Sequence, residues 1–178
     1  MTHPSERLAR IGRLVRDVPD FPKPGIVFKD ITPLLGDGGA FADTIALFAE
    51  GALPRRPDAV VAIESRGFLF GAALAARLGV GVIPVRKPGK LPARTLRAEY
   101  ALEYGTDVLE IHADALARGA RALIVDDVLA TGGTAAATTR LVRELGAEVA
   151  GCAFLIELAF LGGRRKLEGI PVDSLLVF

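Results

Sequence analysis

The segment Leu123-Ile-Val-Asp126-Asp127-Val-Leu-Ala130-Thr131-Gly132-Gly133-Thr134 runs directly into AAATTRLVRELGA. It joins an apolar strand, two acids toward the strand's carboxyl end, a turn of small residues and a helix. In open α/β sheets ligands bind in the crevice outside the carboxyl ends of the strands. After Ala130, the turn Thr131-Gly132-Gly133-Thr134 sets unhindered backbone N–H groups and two hydroxyls at a helix N-terminus, where the dipole favours an anion. That is a clasp for a phosphate monoester, and it needs no lysine. Asp126 and Asp127 stand directly before it and would repel a phosphate unless they faced hydrogen-bond donors. A ribose fits that requirement, with its 2′ and 3′ hydroxyls donating to the carboxylates while its 5′-phosphate lies in the turn. A generic Mg²⁺-binding acid pair is the alternative, but it leaves the Thr-Gly-Gly-Thr turn without a use.

The elements that must position this motif follow from periodicity. Leu8, Ile11, Leu14, Val15 and Val18 recur at helical spacing over Ser5–Val18, with Arg7, Arg10, Arg13 and Arg16 on a solvated opposite face. Asp20-Phe-Pro-Lys-Pro-Gly25 breaks the chain, a short extended piece runs from Ile26 to Phe28, and a helix covers about Ala40–Gly51. Strands and helices then alternate: a strand at AVVAI before Glu64, a helix over Phe68–Leu78 and a strand over Val80–Arg86. Later come a strand over Arg121–Val128, a helix over Thr134–Leu145, a strand over Glu148–Leu158, a short helix over Gly163–Leu167 and a strand over Val172–Phe178. Continuous apolar strands are buried on both faces, as in parallel sheets covered by helices. The class is therefore α/β, a central mostly parallel sheet flanked by helices. Between Arg86 and His112 the alternation lapses into a long basic loop leading into a β-hairpin, an arrangement typical of a lid.

Composition narrows the chemistry. A chain of 178 residues with 51% hydrophobic content predicts a single domain over 1–178 that folds without disulfides or a structural metal. A formal net charge of +1 argues against a general nucleic-acid or membrane binder, so any charged ligand is held by local clusters. The longest uncharged run, Val128–Thr139, is too short and too rich in threonine for a membrane span. With charges throughout the N-terminal stretch and only Cys152, a cytoplasmic location is expected. Only His3 and His112 are present, which leaves almost nothing for a His-rich metal site or a Ser-His-Asp triad. His112 is expected to be structural and Cys152 a core residue. Gly79-Val-Gly81 begins like a dinucleotide fingerprint, but it ends in Pro84 and reads as a turn into a strand.

The segment around Asp126–Thr134 resembles the phosphoribosyl-diphosphate (PRPP) binding motif of the type I phosphoribosyltransferases. Further matches are Asp20-FPKPGIVFKDITPLL, Glu64-SRGFLFG, Val85-RKPGKLP, and Leu102-EYGTD with Leu109-EIH. Over roughly residues 7–178 these are similar to the adenine phosphoribosyltransferase family. The resemblance implies the type I phosphoribosyltransferase fold, with a small N-terminal hood over about 1–35 and a flexible β-hairpin lid over about 87–107. It implies transfer of the phosphoribosyl group from PRPP to adenine N9, giving AMP and pyrophosphate in purine salvage. Mg²⁺ would ride on PRPP oxygens without metal ligands from the protein, and the subunits would pair as homodimers.

Site roles follow from the same resemblance. Asp126, Asp127, Ala130, Thr131, Gly132, Gly133 and Thr134 bind PRPP and AMP. Ser65 offers backbone N–H, and Arg66, Lys87 and Lys90 bring positive charge to the pyrophosphate; Lys87 and Lys90 are two of only five lysines. Glu103 supplies a proton to adenine N7 as N9 attacks, and Tyr104 packs beside it. Val27, Phe28, Lys29 and Leu158 hold adenine, with Phe28 stacking on the purine and the Val27 backbone reading its amino group and N1. Some family members have Arg where this chain has Lys29, and a planar fork and a point charge are not equivalent. Two other readings remain: a PRPP-sensing regulator of nucleic-acid binding, for which no basic recognition helix is left unassigned, and a phosphoribosyltransferase for another base such as orotate or xanthine.

Overall fold

The computed structural model describes residues 3–101 and 105–178. It forms two compact units, one running to Leu47 and the other from Phe48 to Phe178.

In the first unit, α1 (Pro4–Arg13) starts at an N-cap His3, whose ring accepts from the Ser5 N–H while the Glu6 side chain accepts from the His3 N–H. The helix is shorter than its periodicity predicts. Arg16–Pro19 is instead a strand, β1, paired antiparallel with β2 (Val27–Asp30). Val15 and Val18 satisfy either spacing, and the partner strand decides between them. Cross-strand ion pairs Arg16–Asp30 and Lys29–Asp17, the latter at 2.6 Å, lock the register. A short helix, α2 (Thr32–Gly36), was not expected from the spacing. Asp30 accepts from the Thr32 N–H at its start, and Asp37 accepts from the Ala40 N–H at the start of α3 (Gly38–Ala52).

The Thr32 hydroxyl and N–H, joined by Arg16, hold the Asp30 carboxyl down at about 2. A depressed folded pKa gives stabilisation that is complete above the ordinary value of 3.8 and is lost as pH falls toward 2. The Asp30 carboxyl ¹³C resonance is expected to titrate with a midpoint near 2; a midpoint near 4 would contradict the cap.

The second unit is built on a five-stranded parallel sheet of β3 (Ala59–Ile63), β4 (Gly81–Val85), β7 (Arg121–Leu129), β8 (Glu148–Glu157) and β9 (Val172–Val177). Their order is β4-β3-β7-β8-β9. β3 is buried along its whole length, as its continuous apolar run requires, and all of β7 between Ala122 and Asp127 is buried. α4 (Gly67–Leu78) links β3 to β4, and α5 (Gly133–Glu144) links β7 to β8. Gly71 lets α4 lie close on β3, since a Cβ there would stand 2.5 Å from that of Ala62.

A separate antiparallel pair, β5 (Thr95–Ala101) and β6 (Thr106–His112), forms the expected hairpin. Ala98 and Tyr100 alternate with exposed Arg97 and Glu99, and together with Leu109 and Ile111 they join the core around Ile124, Phe154 and Leu141. Cys152 lies in that core, its thiol pushed up to about 12 by burial. Among the described residues no helix is long and apolar enough to cross a membrane.

The strand order locates the site. From β3 the chain moves to one side to make β4 and later returns to the other side to make β7. The connections leaving β3 and β7 therefore diverge at neighbouring carboxyl ends, which is the switch point where an open α/β sheet leaves a crevice.

Candidate active site

Two loops meet at this switch point. Leaving β3, Glu64-Ser65-Arg66 leads into α4 through a cis Glu64–Ser65 peptide, with Ser65 exposed. Leaving β7, Ala130-Thr131-Gly132 leads into α5 with Gly132 at the N-cap in the left-handed region, φ 75°, and no side chain capping the helix. The first N–H groups of α5 thus keep their capacity to bind an anion. Thr131 is exposed and Thr134 half-buried at its mouth. Gly67 fits the two loops together, because a Cβ there would lie 2.8 Å from Asp126 Oδ1.

Asp126 and Asp127 are buried, only 8% and 5% exposed. The Asp126 carboxylate accepts from the Asp127 N–H at 2.9 Å. Arg66 Nε stands 2.7 Å from Asp127 Oδ2 as an ion pair, in an orientation that leaves that oxygen without a hydrogen bond. Burial pushes Asp126 well above the usual carboxylate range, and the neighbouring Asp127 raises it further. Burial also raises Asp127, with Arg66 opposing it. Two desolvated carboxyls costly to the fold, one oxygen lacking a hydrogen-bond donor, are what a pair of ligand hydroxyls would relieve.

The basic residues at the rim are tied to carboxylates. Lys90 is hydrogen-bonded to Glu64, which also accepts from the Lys87 N–H at 3.0 Å and lies 3.3 Å from Arg86 Nε. Burial raises the Glu64 carboxyl, but the bonds from Lys90 and the Lys87 backbone outweigh it and hold the group below its ordinary value. The Arg86 guanidinium lies over the Phe68 ring at 5.8 Å. The Lys87 ammonium pairs with Asp107, which also accepts from the Tyr100 hydroxyl at 3.0 Å. The bond from Lys87 keeps Asp107 below the ordinary carboxylate range, while burial, reinforced by Asp107, pushes the Tyr100 hydroxyl up.

Most of the expected residues can thus be placed. Arg66, Asp126 and Asp127 are brought into contact, and Ala130–Thr134 form the turn beside them. Ser65 lies on the adjacent loop, and Lys87 and Lys90 lie on the strand β4 exit with carboxylate partners. Val27, Phe28 and Lys29 lie on β2 of the first unit, where Val27 is 51% exposed and Phe28 packs edge-on against Phe21 at 5.2 Å. Leu158 follows β8 in the second unit and is half-buried. Glu103 and Tyr104 fall outside the described residues. Reasoning from sequence missed Asp107 and Glu64 as partners of the lysines. The pairing of Tyr100 with Asp107 across the hairpin is the signal that would have found the first of them.

Among the described residues no group of three or more His, Cys, Asp or Glu is placed to hold a metal ion. The Asp126–Asp127 pair, already engaged by Arg66, fits a cation held by the ligand's own oxygens rather than by protein carboxylates.

Residues 39–171, which carry the sheet switch point, the buried acid pair and the uncapped, glycine-headed helix, match the family model of the phosphoribosyl transferase domain. The adenine phosphoribosyltransferase of Thermotoga neapolitana is 56% identical over 166 residues, 93% of this chain and 98% of that protein. The crystal structure of the Thermoanaerobacter pseudethanolicus enzyme superposes with a TM-score of 0.94 at 57% identity, covering 96% of this chain and 99% of that one. The Saccharomyces cerevisiae enzyme, solved with adenine and an imino-altritol bisphosphate, gives 0.92 at 44% identity over 97% and 99% of the two chains. The chain belongs to the adenine phosphoribosyltransferase family.

Proposed function

We infer that this protein transfers the 5-phosphoribosyl group of PRPP to N9 of adenine, releasing pyrophosphate and forming AMP. The observation that carries this reading is the Asp126–Asp127 pair beside the uncapped start of α5. The acids receive the ribose 2′ and 3′ hydroxyls, and the N–H groups and hydroxyls of Thr131–Thr134 receive the 5′-phosphate. C1′ is thereby held while its bond to the diphosphate oxygen breaks and its bond to N9 forms. The N–H groups of the Ser65 loop, with Arg66, Lys87 and Lys90, take the charge that develops on the departing diphosphate. For the two lysines this requires exchanging Asp107 and Glu64 for the ligand.

Adenine is held by Val27, Phe28, Lys29 and Leu158 as the tautomer with its imidazole proton on N7, and the Glu103 carboxylate takes that proton as N9 bonds to C1′, with Tyr104 packed beside it. Residues of about 1–35 form a hood at the base, and about 87–107 close as a lid that excludes water from an oxocarbenium-like centre. Mg²⁺ carried on the PRPP oxygens would screen the diphosphate charge. The subunits pair as homodimers and the protein works in the cytoplasm.

Incubation with PRPP and Mg²⁺ against adenine, hypoxanthine, guanine, xanthine and orotate, with nucleotides resolved by chromatography, tests the reading. AMP from adenine alone is expected. Product from another base would overturn the adenine pocket, and no product from any base would favour a PRPP-binding regulator.

A further inference from the structure

The turn that receives the phosphate has no cap of its own, so another part of the fold must keep its shape. That part is the backbone at Gly162–Gly163. A Cβ on Gly132 would lie 2.4 Å from Gly163 O, and a Cβ on Gly163 would lie 2.2 Å from Ala130 O and 2.8 Å from Gly132 N. The two backbones are in face-to-face contact, and Gly163 is buried. A wedge of this kind holds only if it is itself anchored.

The next residue provides the anchor. Arg164 grips the buried Glu157 with both Nε, at 2.9 Å, and Nη2, and its Nη1 donates to Val172 O at 3.0 Å. Ser174 Oγ donates to the same Glu157 carboxylate at 2.7 Å. Glu157 in turn is fixed against the strand that leads into the turn. It is the register partner of Leu129, and the Leu158 N–H donates to Leu129 O at 2.9 Å. A closed circuit results, from Leu129 across to Glu157, through Arg164 to Gly163, and back onto Ala130 and Gly132.

We propose that Glu157, Arg164 and Ser174 are positioning residues for PRPP, a clamp that sets the phosphate-binding turn through Gly163 without touching the substrate. Its elements come from the end of β8, the short Gly163–Leu167 helix and β9, none of which carries a residue proposed to bind the phosphate. A planar bidentate fork is what a fixed wedge requires, since a lysine ammonium at Arg164 would keep the charge and lose the orientation.

The proposal rests on the phosphoribosyl reading, and binding of PRPP to the unaltered protein tests that reading separately. Arg164→Ala, Arg164→Lys and the milder Ser174→Ala are compared by calorimetry with PRPP and Mg²⁺ and by steady-state kinetics. Arg164→Ala is expected to raise the PRPP Kd and KM about tenfold or more, with kcat at saturating PRPP and the adenine KM within about threefold. Arg164→Lys is expected to restore thermal stability more fully than PRPP affinity. Should Arg164→Ala not fold, Ser174→Ala is expected to raise the PRPP Kd about threefold alone. PRPP affinity within about twofold of the unaltered protein in the folded variants, or equal losses in PRPP KM and adenine KM, would overturn the clamp. Failure of the unaltered protein to bind PRPP would instead overturn the reading beneath it.

Discussion

Glu103→Gln is expected to lower kcat by about 10²–10⁴-fold, the range a positioned general acid or base contributes, while the PRPP Kd stays within a small factor. The amide keeps the size and the hydrogen-bonding reach of the side chain but cannot take the proton from N7. As N9 of the N7–H tautomer attacks C1′, positive charge builds on the purine, and a carboxylate that accepts the N7 proton acts on that charge only in the transition state. An interaction of this kind appears in kcat and kcat/KM together and leaves ground-state binding nearly untouched. Stopped-time assays at saturating adenine and PRPP, alongside calorimetry with PRPP, separate the two. An unchanged kcat would remove Glu103 from the chemistry.

Asp127→Asn should have the opposite signature. The ribose hydroxyls lose a charged acceptor, and a hydrogen bond to a charged group is worth about 1.5–3 kcal/mol, so the PRPP Kd should rise about 10- to 150-fold. The fold should not suffer in proportion. Burial raises the Asp127 pKa, so the carboxylate costs the folded state free energy as pH climbs above the ordinary value of 3.8, despite Arg66. A neutral amide removes that cost at pH 7 and gives up only the ion pair to a half-exposed arginine. The variant is therefore expected to melt at or near the temperature of the unaltered protein while binding PRPP weakly. Normal PRPP affinity would show that the pair does not hold the ribose. A large drop in Tm with unchanged affinity would make Asp127 a structural residue.

How much of this was legible in the chain depends on how local each feature is. The acids Asp126 and Asp127, the turn to Thr134 and the following helix are contiguous, and each step is dictated by its own neighbours: apolar residues for the buried strand, glycines for the left-handed cap, alanines for the helix. The same holds for AVVAI and the loop at Glu64–Gly67. Where the deciding contact is distant, the sequence is silent. Arg16–Pro19 reads as the last turn of a helix until Val27–Asp30 pairs with it. Lys87 and Lys90 read as free cations until Asp107 and Glu64 are brought beside them. Glu157, Arg164 and Ser174 each look like ordinary solvent-facing polar residues. Their joint role emerges only from the strand order, which sets β8 between β7 and β9 and buries Glu157 at the same level as Leu129.

The same division separates the proposed phosphate site from the proposed base site. The former is built from two adjoining loops of one sheet, whereas Val27–Lys29 and Leu158 belong to different compact units. The acids at the sheet switch point are costly to the fold, and their cost is the clearest physical sign of a ligand.

The most direct measurement is a crystal structure with AMP and Mg²⁺. The account predicts the 5′-phosphate on the N–H groups of Thr131–Thr134 and the ribose hydroxyls within hydrogen-bond distance of the Asp126 and Asp127 carboxylates. A phosphate bound elsewhere, with the start of α5 left to solvent, would contradict it.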